Sequence, residues 1–275
     1  MPAAARTVLL TGAAGRIGTA MRTLLPEFGH RLRLFDVRPV DGAPDAVTAD
    51  LHDTAALDRA VRGVDAIVHL AGISAEDSFA RILRANVEGT WRLYEAARRA
   101  GVRRVVFASS NHAVGFTPLP GQDEPPIGTG TPHRPDTYYG LSKAFGEDLA
   151  QLYWDRHGME TVSLRIGTFG DRPRSVRALG IWLSPGDCAR LLHASLTADR
   201  VGHTVVHGSS ANTRAVWDLS RARALGYMPE DDSERYAPEL LAPRREPDPD
   251  TPAAHLLGGA FCSADPPRGG GDRTA

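Results

Sequence analysis

Thr7-Val8-Leu9-Leu10 is a short, apolar and β-branched run that empties into Thr11-Gly12-Ala13-Ala14-Gly15-Arg16-Ile17-Gly18, after which Thr19 to Leu25 has helical character. No other stretch limits the fold so tightly. Strand, glycine turn and helix in this order make the first unit of a doubly wound sheet. Gly12 permits the tight turn, Gly15 lets the backbone approach a pyrophosphate, and Gly18 lets the helix pack close, so that the amides around Arg16 and Ile17 face the phosphates. A glycine pattern alone says little. Its weight here comes from a second strand, Arg31-Leu32-Arg33-Leu34-Phe35, which ends at Asp36, close to the ~20 residues downstream at which an acid meets the adenosine ribose hydroxyls. A carboxylate at that place repels a 2′-phosphate, so NAD is the expected cofactor, and the nearby Arg38 is what keeps NADP open.

The alternation of strand and helix continues. A third strand near Ala46 to Ala49 ends at Asp50-Leu51, where an acid and its backbone can meet the adenine edge, and Asp53 caps a helix over Thr54 to Val61. Ala66 to Leu70 reads as a buried strand ending in Ala71-Gly72, small residues on which a cofactor can lie, and His69 inside it reads as a satisfied core histidine. One helix is expected over Ser78 to Ala100, with Asn86 inside it. The fifth strand, Val105 to Ala108, delivers Ser109-Ser110-Asn111-His112 at its carboxyl end, where ligands gather in open α/β sheets. Pro118 to Pro135 is a Pro- and Gly-rich loop, followed by a helix to His157 and a sixth strand over Glu160 to Ile166.

Tyr139-Gly140-Leu141-Ser142-Lys143 opens that last helix, and Lys143 is the only lysine among the 32 basic side chains. Every other one is arginine. A compact ammonium acts as a point charge on its neighbours and reaches ribose hydroxyls where a planar guanidinium does not fit. Residues four apart share a helix face, so Lys143 is expected to lower the pKa of Tyr139 and let it act as a base close to neutral pH.

At 275 residues and a formal charge of -1, the chain is sized for one large α/β domain and has no electrostatic case for nucleic acid or an anionic membrane as partner. The two cysteines, Cys188 and Cys262, lack metal spacing, so no metal is expected. Nothing resembles a signal peptide or a transmembrane run, and a cytoplasmic protein is expected. The full expectation is a Rossmann-type doubly wound parallel sheet with a small C-terminal substrate-capping region. Residues 1–170 form the NAD-binding part, 171–265 a small substrate-binding part of the same domain, and 266–275 a disordered tail.

The glycine turn, Asp36, Asp50-Leu51, Asn86-Val87-x-Gly89-Thr90, Ser110 and Tyr139-x-x-x-Lys143 stand in the order of the extended short-chain dehydrogenase/reductase superfamily, which the chain resembles over about its first 170 residues. Within it the chain is most similar to the uronate dehydrogenases. The carrying stretches are Gly72-Ile73-Ser74, Phe107 to His112, Tyr139 to Glu147, Arg165-Ile166-Gly167, Arg177 ahead of Trp182-Leu183-Ser184, and Gly258-Gly259-Ala260-Phe261. The resemblance implies oxidation of a hexuronic acid at its C1 hemiacetal to an aldarolactone, with Tyr139 as base, Lys143 and Ser110 beside it, and Asn86 supporting the Lys143 region through water. It implies substrate contacts from Ser74, Ser110, Asn111, His112, Tyr139, Arg177 and Phe261. It implies cofactor contacts from Gly12, Gly15, Arg16, Ile17, Gly18, Asp36, Arg38, Asp50, Leu51, Leu70, Ala71, Gly72, Asn86, Tyr139, Lys143 and Ile166. One departure stands out. Thr168-Phe169-Gly170-Asp171-Arg172-Pro173 replaces the family's usual Ser-Cys and Pro-Glu-Pro sequence, which bears on the wall of the sugar pocket.

Two other readings stay open on the residues. A nucleotide-sugar epimerase or dehydratase shares the N-terminal constellation, although its nucleotide grip usually needs a larger C-terminal region. A non-catalytic NAD-binding regulator has no need of an intact Ser110, Tyr139 and Lys143. A homo-oligomer is expected; the apolar faces around Leu93 and Leu149 could serve as its contacts, and the same residues would equally serve a monomer's core.

Overall fold

The computed structural model describes residues 6–121, 123–242 and 251–268. In chain order its elements begin with β1 (Thr7–Thr11), α1 (Arg16–Glu27), β2 (Arg31–Asp36), β3 (Val47–Thr48), α2 (Thr54–Val61) and β4 (Ala66–His69). Then come α3 (Phe79–Ile82), a π-helical turn (Leu83–Glu88), α4 (Gly89–Arg99), β5 (Arg104–Ser110), α5 (Tyr138–His157) and β6 (Glu160–Ile166). The remainder includes β7 (Thr168–Phe169), α6 (Ala178–Ile181), β8 (Trp182–Leu183), α7 (Pro185–Thr197) and β9 (His203–Gly208).

Seven strands pair in the order β3-β2-β1-β4-β5-β6-β9, every neighbour parallel. The order reverses between β1 and β4, so the crevice outside their carboxyl ends is the natural ligand site of a doubly wound sheet. The central strands are buried on both faces, as parallel sheets require: Val8, Leu10, Val68, Val106 and Leu164 pack under α1 and α7, while Leu9, Ile67 and Val105 pack against α2, α4 and α5. β9 pairs with β6 at the sheet edge, so the segment after residue 170 completes the same sheet rather than forming a separate layer.

Local rules account for the ends of these elements. Asp53 caps α2 by accepting from the Ala56 amide at 2.9 Å. Thr137 caps α5 by accepting from the Gly140 amide at 3.0 Å, and Gly158, left-handed at φ 63°, ends it.

One expectation is corrected and two are refined. The single helix expected over 78–100 is broken by the π turn, which places Asn86 in the bulge, a device common at functional sites. Of the two uses open to Leu93 and Leu149, the structure shows the core; the large apolar side chains exposed on α4 and α5 are Trp91, Tyr138, Leu141, Leu152 and Trp154. Of the tail expected from 266 onward, Arg268 forms an isolated parallel bridge with Glu76, and 269–275 lie outside the described residues, as do 243–250 of the proline-rich stretch.

Candidate active site

The glycine turn bends over the end of β4. Gly12 takes φ 73°, and a methyl group there would sit 2.7 Å from the Ala71 nitrogen and the Leu70 carbonyl carbon. A methyl at Gly18 would overlap the Gly12 carbonyl oxygen, so the start of α1 can lie on the turn only without one. Gly15 is the N-cap of α1, with no side chain capping it, and a methyl there would meet little except the Gly12 oxygen at 3.1 Å. An uncapped 12-residue helix facing open space over a glycine turn fits a pyrophosphate. Arg16 and Ile17 form its first turn, and the Arg16 guanidinium lies 5.9 Å from the Phe169 ring centre. The departing 168–173 segment thus reaches the cofactor side.

Asp36 ends β2 and is held by this turn. Its Oδ2 accepts from the Ala14 amide and its Oδ1 from the Arg38 amide, both at 2.9 Å, while Arg38 Nη2 donates to the Ala14 carbonyl at 2.8 Å. Asp50 accepts from the His52 amide at 2.9 Å and from Arg84 at 3.2 Å, and Leu51 is buried against Gly89. Beyond β4, Gly72 (φ 138°) lies against the Asn86 amide, where a methyl would be 2.9 Å from Oδ1. Asn86 is fully engaged: Oδ1 accepts from the Ile73 amide at 2.8 Å, and Nδ2 donates to the Ile73 carbonyl at 2.9 Å and to Ser142 Oγ at 3.0 Å. It is tied directly to the turn before Lys143 through Ser142. His69 holds Thr11 and Thr90 through its two ring nitrogens and, kept neutral at about 3 by burial and then by the Lys143 charge, is the core histidine expected.

On the other side, β5 ends at Ser110, which caps a 3-10 turn (Asn111–Val114) by accepting from the His112 amide at 3.2 Å. The Ser110 hydroxyl lies on the side of the Tyr139 phenol and works to lower its pKa. Tyr139 is buried, and its amide donates to Glu76 Oε2 at 2.9 Å. Lys143 donates to the Ala108 carbonyl at 2.8 Å and stands 5.6 Å from the Tyr139 ring centre. The electrostatics run against the expected lowering. Burial pushes the Tyr139 phenol up to about 12, with the Ser110 hydroxyl opposing and the Asp136 charge adding to the rise. Burial also pulls the Lys143 ammonium down to about 8.

His112 gives Nδ1 to Asp136 Oδ2 at 2.6 Å and lies between the Phe261 ring, 4.2 Å away centre to centre, and that of Tyr139 at 5.7 Å. Asn111 lies beside it. With its Nδ2 donating to the Ile166 carbonyl at 3.2 Å, its Oδ1 accepts from Arg177 Nη2 at 3.0 Å. Arg177 also donates through Nε (3.1 Å) and Nη2 to the Leu257 carbonyl, so its bonds go to neutral oxygens. Burial lowers its pKa, while the charge of Asp136 works the other way. The loop neighbours Arg172 and Arg174 are exposed, and Arg172 pairs with Glu239. Ser74, on the loop after β4, is exposed.

Sequence reasoning passed over Asp136, Glu76 and Glu147. Glu147 is buried, accepting from Ser109 at 2.5 Å, Arg165 Nη2 at 2.8 Å and His133 at 2.8 Å. No spacing rule signals such groups, because their partners come from other elements.

A strand-turn-helix opening, a sheet that reverses at β1 and β4, and a Ser-Tyr-Lys group at the end of β5 define a dinucleotide-dependent enzyme fold, and the NAD dependent epimerase/dehydratase family model matches residues 8–176. The chain belongs to that family. It is 45% identical over 263 residues to a uronate dehydrogenase of Pseudomonas putida, covering 94% of this chain and 96% of that one. Among solved structures it is similar to a glucuronic acid dehydrogenase from Chromohalobacter salexigens, with TM-score 0.89, 42% identity and coverage of 95% and 98%. A mutant of the Agrobacterium tumefaciens uronate dehydrogenase, solved as a complex with NAD, matches with TM-score 0.89, 40% identity and coverage of 97% and 100%.

Proposed function

We propose that the protein oxidises the C1 hemiacetal of a hexuronic acid, glucuronate or galacturonate, to the aldarolactone with NAD. The observation that carries the substrate class is Arg177. It is half-buried against Gly259 and Asn111, and among the described residues its guanidinium binds carbonyl oxygens with no carboxylate paired to it. A half-buried cation bonded only to neutral oxygens is suited to receive an anion. The full-length similarity to uronate dehydrogenases points the same way and away from nucleotide sugars.

NAD, held by the glycine turn, Asp36 and the small residues after β4, supplies the hydride acceptor. The chain's own side chains manage the proton. The hydroxyl at C1 loses its hydrogen to the Tyr139 oxygen while the C–H bond of the same carbon breaks, leaving a carbonyl in the ring. Ser110, at the end of β5 next to Tyr139, donates to the same substrate oxygen and fixes its direction. Lys143 spends one of its three N–H groups on Ala108, and the rest serve the nicotinamide ribose. Burial holds the Tyr139 phenol up, so positive charge beside it, from Lys143 and, when bound, from the oxidised nicotinamide, would favour the phenolate. Asn86 acts as the clamp between the β4 loop and the Ser142 turn, and the 171–265 segment supplies Arg177 and Phe261 to the sugar pocket. A homo-oligomer is proposed as well, through the exposed Trp91, Leu141 and Leu152, with light scattering as its check.

Uronates and their neutral aldoses, compared by NADH formation, test the reading, with UDP- and GDP-sugars as the control for an epimerase or dehydratase. Uronates are expected to be favoured by ten- to a hundred-fold, about what a charge-assisted pair is worth. Arg177→Ala is expected to erase most of that by raising KM, with NAD affinity unchanged. Equal turnover of neutral sugars by the wild type would defeat the uronate assignment.

A further inference from the structure

Asp136 is a buried carboxylate that the chemistry above does not use. Its side chain is 0% exposed, Oδ2 meets His112 Nδ1 at 2.6 Å, and Oδ1 accepts from Thr137 Oγ at 2.9 Å. Room for it is made by glycine on both sides. A methyl at Gly115 or at Gly258 would overlap Oδ2, and one at Gly140 would sit 2.9 Å from Oδ1. Three separate segments thus forgo a side chain around one carboxylate. The charge has costs at this position, because it opposes ionisation of Tyr139 and stands near the place assigned to the substrate's own carboxylate. A buried charge with such costs needs a compensating role.

We infer that Asp136 is a positioning residue that fixes the ring and tautomer of His112, so that Nε2 is presented to a sugar hydroxyl as a hydrogen-bond acceptor. A carboxylate oxygen can only accept, so Nδ1 carries a proton, and in the neutral ring the lone pair then lies on Nε2. The ring cannot turn away, since Phe261 lies at 4.2 Å, Tyr139 at 5.7 Å, and the His112 amide is tied to Ser110. Among the described residues Nε2 has no hydrogen-bond partner of its own. A carboxylate behind a histidine sets which nitrogen faces the ligand, and losing it leaves the ring present but wrongly protonated or turned. The inference rests on the sugar-acid reading for the identity of the hydroxyl, but the orientation of His112 stands apart from it.

The test is a double-mutant cycle of Asp136→Asn and His112→Gln, reading kcat, KM for glucuronate and galacturonate, and NAD affinity. Each single variant is expected to raise KM about tenfold or more, the scale of a lost positioning bond, with NAD affinity unchanged. The double variant is expected to match His112→Gln alone, because residues that act as a unit are non-additive. Effects that multiply, or a wild-type KM in Asp136→Asn, would overturn the inference. Nitrogen-15 NMR of the histidine rings gives a second measurement that needs neither activity nor a folded Asp136 variant. The His112 signal, assigned by its loss in His112→Gln, is expected to show Nδ1 protonated, and a proton on Nε2 would overturn the inference. If the wild type turned over no uronate, the proposed function would fail while the NMR result still decided this point.

Discussion

The two sides of the crevice are built from different materials. The cofactor side, from β1 to β4, is shaped by backbone: the glycine turn, a strand end and the small residues Ala71 and Gly72, with Asp36 held by the amides of Ala14 and Arg38. The sugar side, around β5, β6 and the start of α5, is shaped by buried side chains that meet from distant parts of the chain. Glu147 on α5 joins Ser109 on β5, Arg165 on β6 and His133 in the long loop, while Arg165 Nη1 reaches the carbonyls of Thr129 and Thr131. Burial works against the Glu147 carboxylate, yet the bonds from His133 and Arg165 and the charge of Arg165 hold it down at about 2. The lesson is one of cost. A backbone cradle forfeits little when one side chain changes, whereas a charge network fails when one member is lost.

The largest expected effect follows from that contrast. Glu147→Gln leaves Arg165 buried without its counter-charge, a loss of about 3–5 kcal/mol for a buried pair broken on one side. A strongly lowered Tm is the expected outcome, and calorimetry checks it. A Tm within a degree or two of the wild type would show that the network is not what holds the loop.

Next is Tyr139→Phe, which removes one oxygen from the sugar side. Turnover is expected to fall by about 10² or more, the scale of a lost general base, with NAD binding intact by fluorescence titration. Lys143→Arg, which keeps the charge but not the shape, should also be severely impaired. A near-normal rate in that variant would remove the reason for a lone lysine at this position.

How far the molecule was legible in its sequence follows the same division. The parallel sheet, its strand ends and the glycine turn were readable because they depend on contiguous residues and fixed periods. Glu160 to Ile166 and Thr54 to Val61 appear with the expected bounds. The π turn was not readable, since nothing local to Leu83–Glu88 announces one extra residue in the helix. Ser110, Tyr139 and Lys143 were found by spacing. The sign of Tyr139's shift was missed, because it depends on burial and on Asp136, which sequence places three residues away without saying that its carboxylate turns inward.

A smaller effect is expected where backbone does the shaping. Gly18→Ala forces α1 away from the Gly12 carbonyl, and overpacking of this sort costs about 1–3 kcal/mol. The displaced helix N-terminus should weaken NAD by about tenfold, a fold-change equal to 1.4 kcal/mol and so within that range. Uronate KM, measured at saturating NAD, should stay unchanged. A rise in uronate KM with NAD affinity untouched would mean that the two sides are not separable in the way the geometry implies.

The smallest effect lies at the edge of the charge network, where pH enters. His133 is about a quarter exposed, and its ring nitrogens face Glu147 at 2.8 Å and Asp148 at 3.6 Å. The hydrogen bond that it donates to Glu147 raises its pKa above the usual 6.5, with burial opposing and Arg165 adding a smaller repulsion. The sign follows from linkage: a histidine with a raised pKa binds its proton more tightly when folded, so its contribution is complete below about 6.5, the unfolded value, and is lost as the pH climbs through the folded one. Partial exposure screens the pair, which limits it to a few tenths of a kcal/mol. His133→Gln keeps a hydrogen-bond donor toward Glu147 but cannot charge. The Tm difference between wild type and this variant should therefore be larger at pH 5.5 than at pH 8.5, with the wild type the more stable at the lower value. A difference that did not change with pH would show that Glu147 draws its ionisation from Arg165 alone, and that the loop is tied to the sheet without any help from His133.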